Sequence, residues 1–173
     1  MLEEVILVNE QDEETGTMEK MEAHRKALLH RAFSIFIFNG KGEMLLQQRG
    51  LGKYHSPGLW TNACCSHPRP GEEVEEAAYR RLSEELGIHT ELKKIFDFIY
   101  RTEFNNGLTE HEFDHVYAGS YDGHLNPDEQ EVNDYCFRSM EEIEHDLEQR
   151  PYKYSSWFQI AFPILEIKLK KGQ

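Results

Sequence analysis

Cysteine is scarce in this chain, with three residues (Cys64, Cys65, Cys136) among 173. An odd and small number cannot build a disulfide framework, and a bridge between adjacent Cys64 and Cys65 would be strained. Reduced thiols and a cytoplasmic location are therefore expected. Apolar runs approaching the roughly 20 residues that cross a bilayer are also missing. The N-terminal stretch MLEEVILVNEQDEETG is acidic and lacks the basic start of a secretory leader. Positive charge is in deficit: 19 Lys and Arg stand against 32 Asp and Glu, a formal charge of −13. That balance argues against a nucleic-acid partner, which needs a basic face for its phosphates, and against a polybasic membrane-surface protein. It leaves room for a small anionic ligand held by a local cluster of Lys, Arg or metal. No repeat, low-complexity tract or Pro-rich linker invites a cut, so residues 1–173 are expected to form one domain.

What is present supports a folded core. Apolar residues make up 39% of the chain and aromatics 12%, and nine histidines prompt a search for metal ligands. Residues 4–8 read as a strand and 17–28 as a helix with Thr17 as its cap. Residues 31–38 and 43–48 read as the two arms of a hairpin around Asn39-Gly40-Lys41-Gly42. Residues 50–59 read as a loop, and 72–86 as a helix closed by Gly87. Residues 92–101 and 112–121 are strands joined around Asn105-Asn106-Gly107, and 131–137 is another. Residues 140–149 and 155–170 are helical, with Pro163 kinking or interrupting the second. The order is β-rich with one central helix and a helical C-terminus, an α+β mixed-sheet sandwich.

The central helix carries charge on its apolar face. At about 100° per residue, Val74, Ala77, Ala78 and Leu82 form one stripe, and Arg81 and Glu85 fall near its middle. A charge turned toward a core costs several kcal/mol, on the order of a lost buried pair, unless it is matched. Either the two residues pair with each other, four apart, or the helix lines an ionic site.

The stretch from Ser66 to Ile88 resembles the Nudix box, G-x5-E-x7-R-E-U-x-E-E-x-G-U with U apolar. Glu72, Arg80, Leu82, Glu84, Glu85, Gly87 and Ile88 match at the required spacing, while Ser66 replaces the first Gly and Arg81 replaces the Glu after the Arg. The resemblance implies a Nudix-like fold with a loop–helix whose carboxylates hold divalent metal against a diphosphate. Exchange of a carboxylate for Arg81 weakens the case for pyrophosphate hydrolysis.

A longer resemblance covers Lys20 to Trp157. Trp60-Thr61-Asn62-Ala63-Cys64-Cys65-Ser66-His67-Pro68, the pattern His24…His30-Arg31-Ala32-Phe33-Ser34, and Glu110-His111-Glu112 are similar to the motifs of type 1 isopentenyl-diphosphate isomerases. These are Nudix-fold proteins that do not hydrolyse their substrate, and Arg81 matches that subfamily. The resemblance implies interconversion of isopentenyl and dimethylallyl diphosphate through a tertiary carbocation, without flavin. It makes Cys65 and Glu112 the acid/base pair, Tyr100 an assisting hydroxyl, and Trp157 the aromatic that faces the cation. Lys20, Arg49, Lys53, Ser66 and Arg81 match diphosphate-binding positions, and Glu85 the ligand of a diphosphate-bound Mg²⁺. His24, His30, His67, Glu110 and Glu112 match a second metal centre. Three imidazoles and two carboxylates suit Zn²⁺ or Mn²⁺ better than Mg²⁺ alone. Glu110 and Glu112, two apart on a strand, point to one face.

Plainer readings stand beside these. Taken alone, Cys65 is a small buried hydrophobe, Tyr100 and Trp157 are packing aromatics, and Arg49 and Lys53 are solvated charges. His55, His89, His111, His115, His124 and His145 read as ordinary surface or hydrogen-bonded histidines. If the segment around Cys64 and Cys65 is extended, their side chains point apart and only one faces a site. The alternatives to an isomerase are a Nudix-type pyrophosphohydrolase and a non-catalytic metal- or thiol-based binding protein. A small diphosphate substrate is the expected partner, and a monomer is favoured.

Overall fold

The computed structural model describes residues 2–172, so Met1 and Gln173, the ends of the expected domain, lie outside the described residues. Among those residues nine strands join in one mixed sheet. Its centre is β3 (His30–Phe38), whose RAFSIFIF run is buried on both faces. A strand buried on both sides carries apolar residues at nearly every position rather than at alternate ones.

The partners of β3 come from distant parts of the chain. On one side it runs parallel to β8 (Thr109–Ser120), with His30 opposite Glu112 and Ser34 opposite Val116. On the other it runs antiparallel to the short β6 (Cys64–Ser66), with Ser34 opposite Cys65. β8 also forms a long hairpin with β7 (Lys93–Glu103), placing Tyr100 opposite Glu112 and Thr102 opposite Glu110. Its turn lies at Asn105–Gly107, as the sequence indicated, and Asn106 Oδ1 accepts from the Leu108 N–H. β4 (Met44–Arg49) pairs with β9 (Val132–Arg138) and with the two-residue β5 (Trp60–Thr61).

Alternation along β3 sorts the core into two layers. Phe33, Ile35 and Ile37 pack with Cys64 against Ala77, Ala78, Leu82 and Leu86 of α2 (Val74–Leu86). Phe36 packs from the other face with Met44, Phe96 and Val116 against α3 (Met140–Gln149) and α4 (Ser156–Lys171), through Ile143, Phe158, Phe162 and Leu165. The α+β sandwich with a central helix and C-terminal helices is therefore the observed architecture. Gly87 ends α2 at φ 65°, a left-handed conformation, and a Cβ there would meet Asn126 Cβ at 3.0 Å.

Three local expectations need correction. Residues 17–28 are not one helix. Residues Glu14–Glu19 form β2, paired with β1 (Glu4–Val8) so that Thr17 lies opposite Ile6. Only Lys20–Arg25 is helical (α1), and its cap is Glu19, whose carboxylate accepts from the Met21 and Glu22 N–H groups. Cross-strand pairing wins there because β2 covers an otherwise open edge of β1. The turn at residues 39–42 exists, with Asn39 Oδ1 accepting from Lys41 and Glu43 N–H groups. Its arms separate after the single Phe38–Met44 pair, since β3 and β4 each find longer partners elsewhere. Finally, α4 continues through Pro163. The carbonyl that Pro163 leaves without a donor belongs to exposed Gln159, where water can satisfy it.

Candidate active site

The strand registers place Tyr100, Glu110, Glu112, His30, Ser34 and Cys65 around one end of the sheet, where a cleft of about 620 Å³ opens. Every expected site residue lines that cleft except His24 and His30, which lie fully buried beside His67 and Glu112.

The floor is an imidazole–carboxylate cluster. His24, at the end of α1, donates from Nδ1 to the Lys20 carbonyl at 2.6 Å, and His30 from Nδ1 to the Leu28 carbonyl at 2.9 Å. Both Nε2 atoms are buried and have no hydrogen-bond partner among the described residues. They face the same space as His67 Nε2, which is 3.0 Å from Glu112 Oε1, while His30 Nε2 is 3.5 Å from that oxygen. Backbone carbonyls thus fix the tautomer of His24 and His30 and leave the inner nitrogen as a lone-pair donor, the usual orientation of metal-binding imidazoles. His24, His30, His67 and Glu112 have donor atoms all within 4.8 Å of one another, so the residues fit a divalent ion.

The electrostatics of the metal-free cluster follow from its burial and its close charges. Burial, reinforced by the charge of His67, lowers the His24 pKa to about 4. Burial opposes ionisation of Glu112, but the hydrogen bond with His67 and the nearby imidazoles of His67 and His30 prevail and hold its carboxyl well below the usual range. Burial also disfavours the charged form of His30, yet the Glu112 carboxylate 3.5 Å away raises its pKa overall. Tyr100 Oη lies 2.9 Å from Glu110 Oε2 and 2.6 Å from Glu112 Oε2, with one hydrogen shared between two acceptors. Its phenol is pushed well up by burial and by those two carboxylates, so it stays protonated.

Cys65 forms one wall. The β6 alternation separates the two thiols as extended geometry requires. Cys64 is fully buried against α2, and Cys65 faces the cleft. Trp157 Nε1 donates to Cys65 Sγ at 3.1 Å, Sγ lies 3.1 Å from Asn62 Oδ1, and Ser34 Oγ is 3.5 Å away. Burial raises the thiol pKa far above its ordinary value, and the Asp114 carboxylate adds to this, outweighing the contacts with Ser34, Asn62 and Trp157. Cys65 is therefore a neutral thiol that holds a proton. Trp157 also carries the Arg49 guanidinium 5.0 Å above its ring.

The mouth is cationic and internally compensated. Lys20 pairs with Glu3 at 2.5 Å. Lys53 pairs with Glu131, and Arg81 reaches Glu85 at 2.6 Å, Glu84 at 2.8 Å and Glu131 at 3.4 Å. The Arg81–Glu85 pair and the ionic lining are thus both real, because the pair itself borders the cleft. Burial raises the Glu85 pKa, Arg81 opposes it, and Glu131 adds to it. Glu72 and Arg80 stand slightly apart. They form a two-armed pair at 2.7 and 2.9 Å that ties the loop before α2 to the helix.

Two residues of the site escaped the sequence. His55 is not an ordinary surface histidine: it is 4% exposed, with Nε2 2.8 Å from Glu110 Oε1. Glu131 sits between Lys53 and Arg81. His55 lies in an irregular segment, and Glu131 in the turn just before β9, one residue ahead of where the strand begins, so no periodicity marks either as part of a site. The available signal was weak: His55 shares the Gly/Pro loop with Lys53, and Glu131 directly precedes a strand.

A family model described as NUDIX domain matches residues 28–158. Solved structures agree on the fold. The DR0079 protein of Deinococcus radiodurans has a TM-score of 0.72 at 22% identity, covering 86% of this chain and 90% of that one. The MutT protein from Methanosarcina mazei has a TM-score of 0.67 at 20% identity, covering 82% of this chain and 96% of that one. The fold and its loop–helix are thus those of a Nudix protein. Among curated relatives, isopentenyl-diphosphate Delta-isomerase 2 of Aromatoleum aromaticum is 53% identical over 91% of this chain and 83% of its own length. The isopentenyl-diphosphate Delta-isomerase of Pectobacterium atrosepticum is 50% identical over 93% of this chain and 90% of its own. The chain belongs to the Nudix superfamily and, within it, to the type 1 isopentenyl-diphosphate isomerases.

Proposed function

We propose that residues 1–173 form one domain that interconverts isopentenyl and dimethylallyl diphosphate. The observation that carries this reading is a thiol, Cys65, and a carboxylate, Glu112, facing one cleft from strands on either side of β3, with burial favouring the protonated thiol and the adjacent imidazoles favouring the ionised carboxylate. Moving the double bond requires one proton to be added at the terminal methylene and another to be lost from the carbon beside the oxygen-bearing one. The cation between these steps is tertiary and needs a dry, non-nucleophilic wall. Cys65 and Glu112 are the acid and base, exchanging roles with the direction of reaction. Tyr100 steadies the Glu112 carboxylate. The Trp157 indole stabilises the cation by its π face, and its Nε1–H directs the Cys65 sulfur.

Lys20, Arg49, Lys53, Ser66 and Arg81 bind the diphosphate, and Glu85 would hold a Mg²⁺ that would supply positive charge to it. His24, His30, His67, Glu110 and Glu112 would hold Zn²⁺ or Mn²⁺, which would supply positive charge beside the two carboxylates. Flavin has no part in the chemistry. A monomer in the cytoplasm is the proposed state. Among the described residues no helix is long and apolar enough to cross a membrane.

A pyrophosphohydrolase is the weaker reading, because Arg81 bonds to Glu84 and Glu85 where hydrolysis would need another free carboxylate. Incubation of metal-reconstituted protein with isopentenyl diphosphate in D₂O separates the two. Deuterated dimethylallyl diphosphate by NMR is the expected result, and release of phosphate without that product would overturn it.

A further inference from the structure

We propose that His55 is a fourth imidazole ligand of the metal centre, making its donor set four nitrogens and two carboxylates. The inference rests on the metal-centre reading above and extends it to a residue outside the recognised motifs.

The first support is an orphaned nitrogen. His55 Nε2 is buried and only 2.8 Å from Glu110 Oε1, yet it makes no hydrogen bond with any partner among the described residues. The same condition marks His24 Nε2 and His30 Nε2. An imidazole nitrogen left dry and unpaired is unfavourable unless something else takes its lone pair.

The second support is the orientation of the ring. His55 Nδ1 lies 3.3 Å from Ser56 Oγ, as the Nδ1 atoms of His24 and His30 face backbone carbonyls, so in all three the inner nitrogen is Nε2. The ring stacks on Phe104 at 4.5 Å with an 8° tilt and meets Tyr54 edge-on at 4.5 Å. It has little freedom to turn elsewhere.

The third support is the way the donors group. His24, His55 and Glu110 have donor atoms within 4.8 Å of one another, as do His24, His30, His67 and Glu112. The groups share His24, whose Nδ1 is already committed to the Lys20 carbonyl. His24 has one nitrogen to give, and a terminal imidazole nitrogen binds one ion. The second group therefore adjoins the first through His24, and six donors drawn onto one ion would suit an octahedral centre.

The test uses the full chain loaded with Co²⁺. Each imidazole bound through Nε2 keeps its Nδ1–H, which appears in proton NMR as one exchangeable resonance with a large paramagnetic shift. Four such resonances are expected in the unmodified protein and three in His55→Phe, which keeps a flat ring against Phe104. Competition with a chromophoric chelator should show Co²⁺ affinity at least about 10-fold lower in the variant. Three resonances in the unmodified protein would overturn the role of His55 and leave the metal centre standing, whatever the variant's folding. No shifted resonance at all would remove the metal-centre reading and this inference with it.

Discussion

The floor and the mouth of the cleft solve opposite electrostatic problems. At the floor, His24, His30, Glu110 and Glu112 are each no more than 6% exposed, and backbone carbonyls or a tyrosine hold them. A buried charge there costs several kcal/mol once its partner is removed, roughly 3–5 for a broken pair. At the mouth, Lys20, Lys53 and Arg81 pair with carboxylates through side chains that remain partly in water. Such pairs contribute about 0.2–1 kcal/mol each. The floor is therefore preorganised, and the mouth is built from partners that a diphosphate can replace. This also explains how a chain of charge −13 takes an anionic substrate: the attraction is local.

The sharpest test of the preorganised interior uses adjacent cysteines, one facing the cleft and one packed in the core. Cys65→Ala is expected to lower kcat by about 10²–10⁴-fold, the usual weight of a positioned acid or base. Its melting temperature should barely change. Cys64→Ser places a hydroxyl in an apolar core and should lower unfolding free energy by about 1–3 kcal/mol while kcat stays within about 2-fold. Turnover assays with urea melts on both variants decide this. Similar losses of activity in the two would mean that β6 does not separate them.

The floor also predicts a pH signature in the metal-stripped protein. The His24 pKa is lowered to about 4 in the folded state against 6.5 for the ordinary side chain. Between those values the unfolded chain binds a proton that the folded chain refuses. Stability from this group is thus present above about pH 6.5 and is lost as pH falls toward 4. The expected loss is about 3 kcal/mol, at 1.36 kcal/mol per unit. Urea titrations at pH 7 and pH 4, comparing the unmodified chain with His24→Asn, isolate it. Parallel stabilities at both pH values would show that His24 is not buried as described.

Legibility followed how local each feature is. The α2 helix, its Gly87 terminus and the split of Cys64 from Cys65 follow from periodicity within a few residues, and the motifs around them could be read directly. The parallel pairing of β3 with β8 joins residues some eighty positions apart, which no local pattern encodes. For the same reason residues 14–19 hid as part of a helix: their strand exists because β1 lies alongside. His55 owes its burial to Phe104 and Trp157, contributed by a distant turn and the last helix. Its neighbours in sequence describe a loop, and only the assembled fold makes it part of a site.

At the mouth the expected effects are smaller and fall on binding. Lys53→Gln removes one charged contact to the diphosphate, worth about 1.5–3 kcal/mol, so KM should rise about 10- to 100-fold with kcat within about 2-fold. A fall in kcat of the same size would place Lys53 with the chemistry instead. Glu131→Gln should act in the opposite direction. Its carboxylate holds Lys53 and contacts Arg81 at 3.4 Å, so substrate must displace it before both cations face the diphosphate. Glu131 also places negative charge beside Glu85. Removing the charge while keeping the side-chain shape should lower KM about 2- to 5-fold, the equivalent of one surface pair. The gain should shrink as salt rises, because screening weakens the competing pair first. A raised KM in Glu131→Gln would instead mean that this carboxylate positions the two cations, and the mouth would then be as preorganised as the floor.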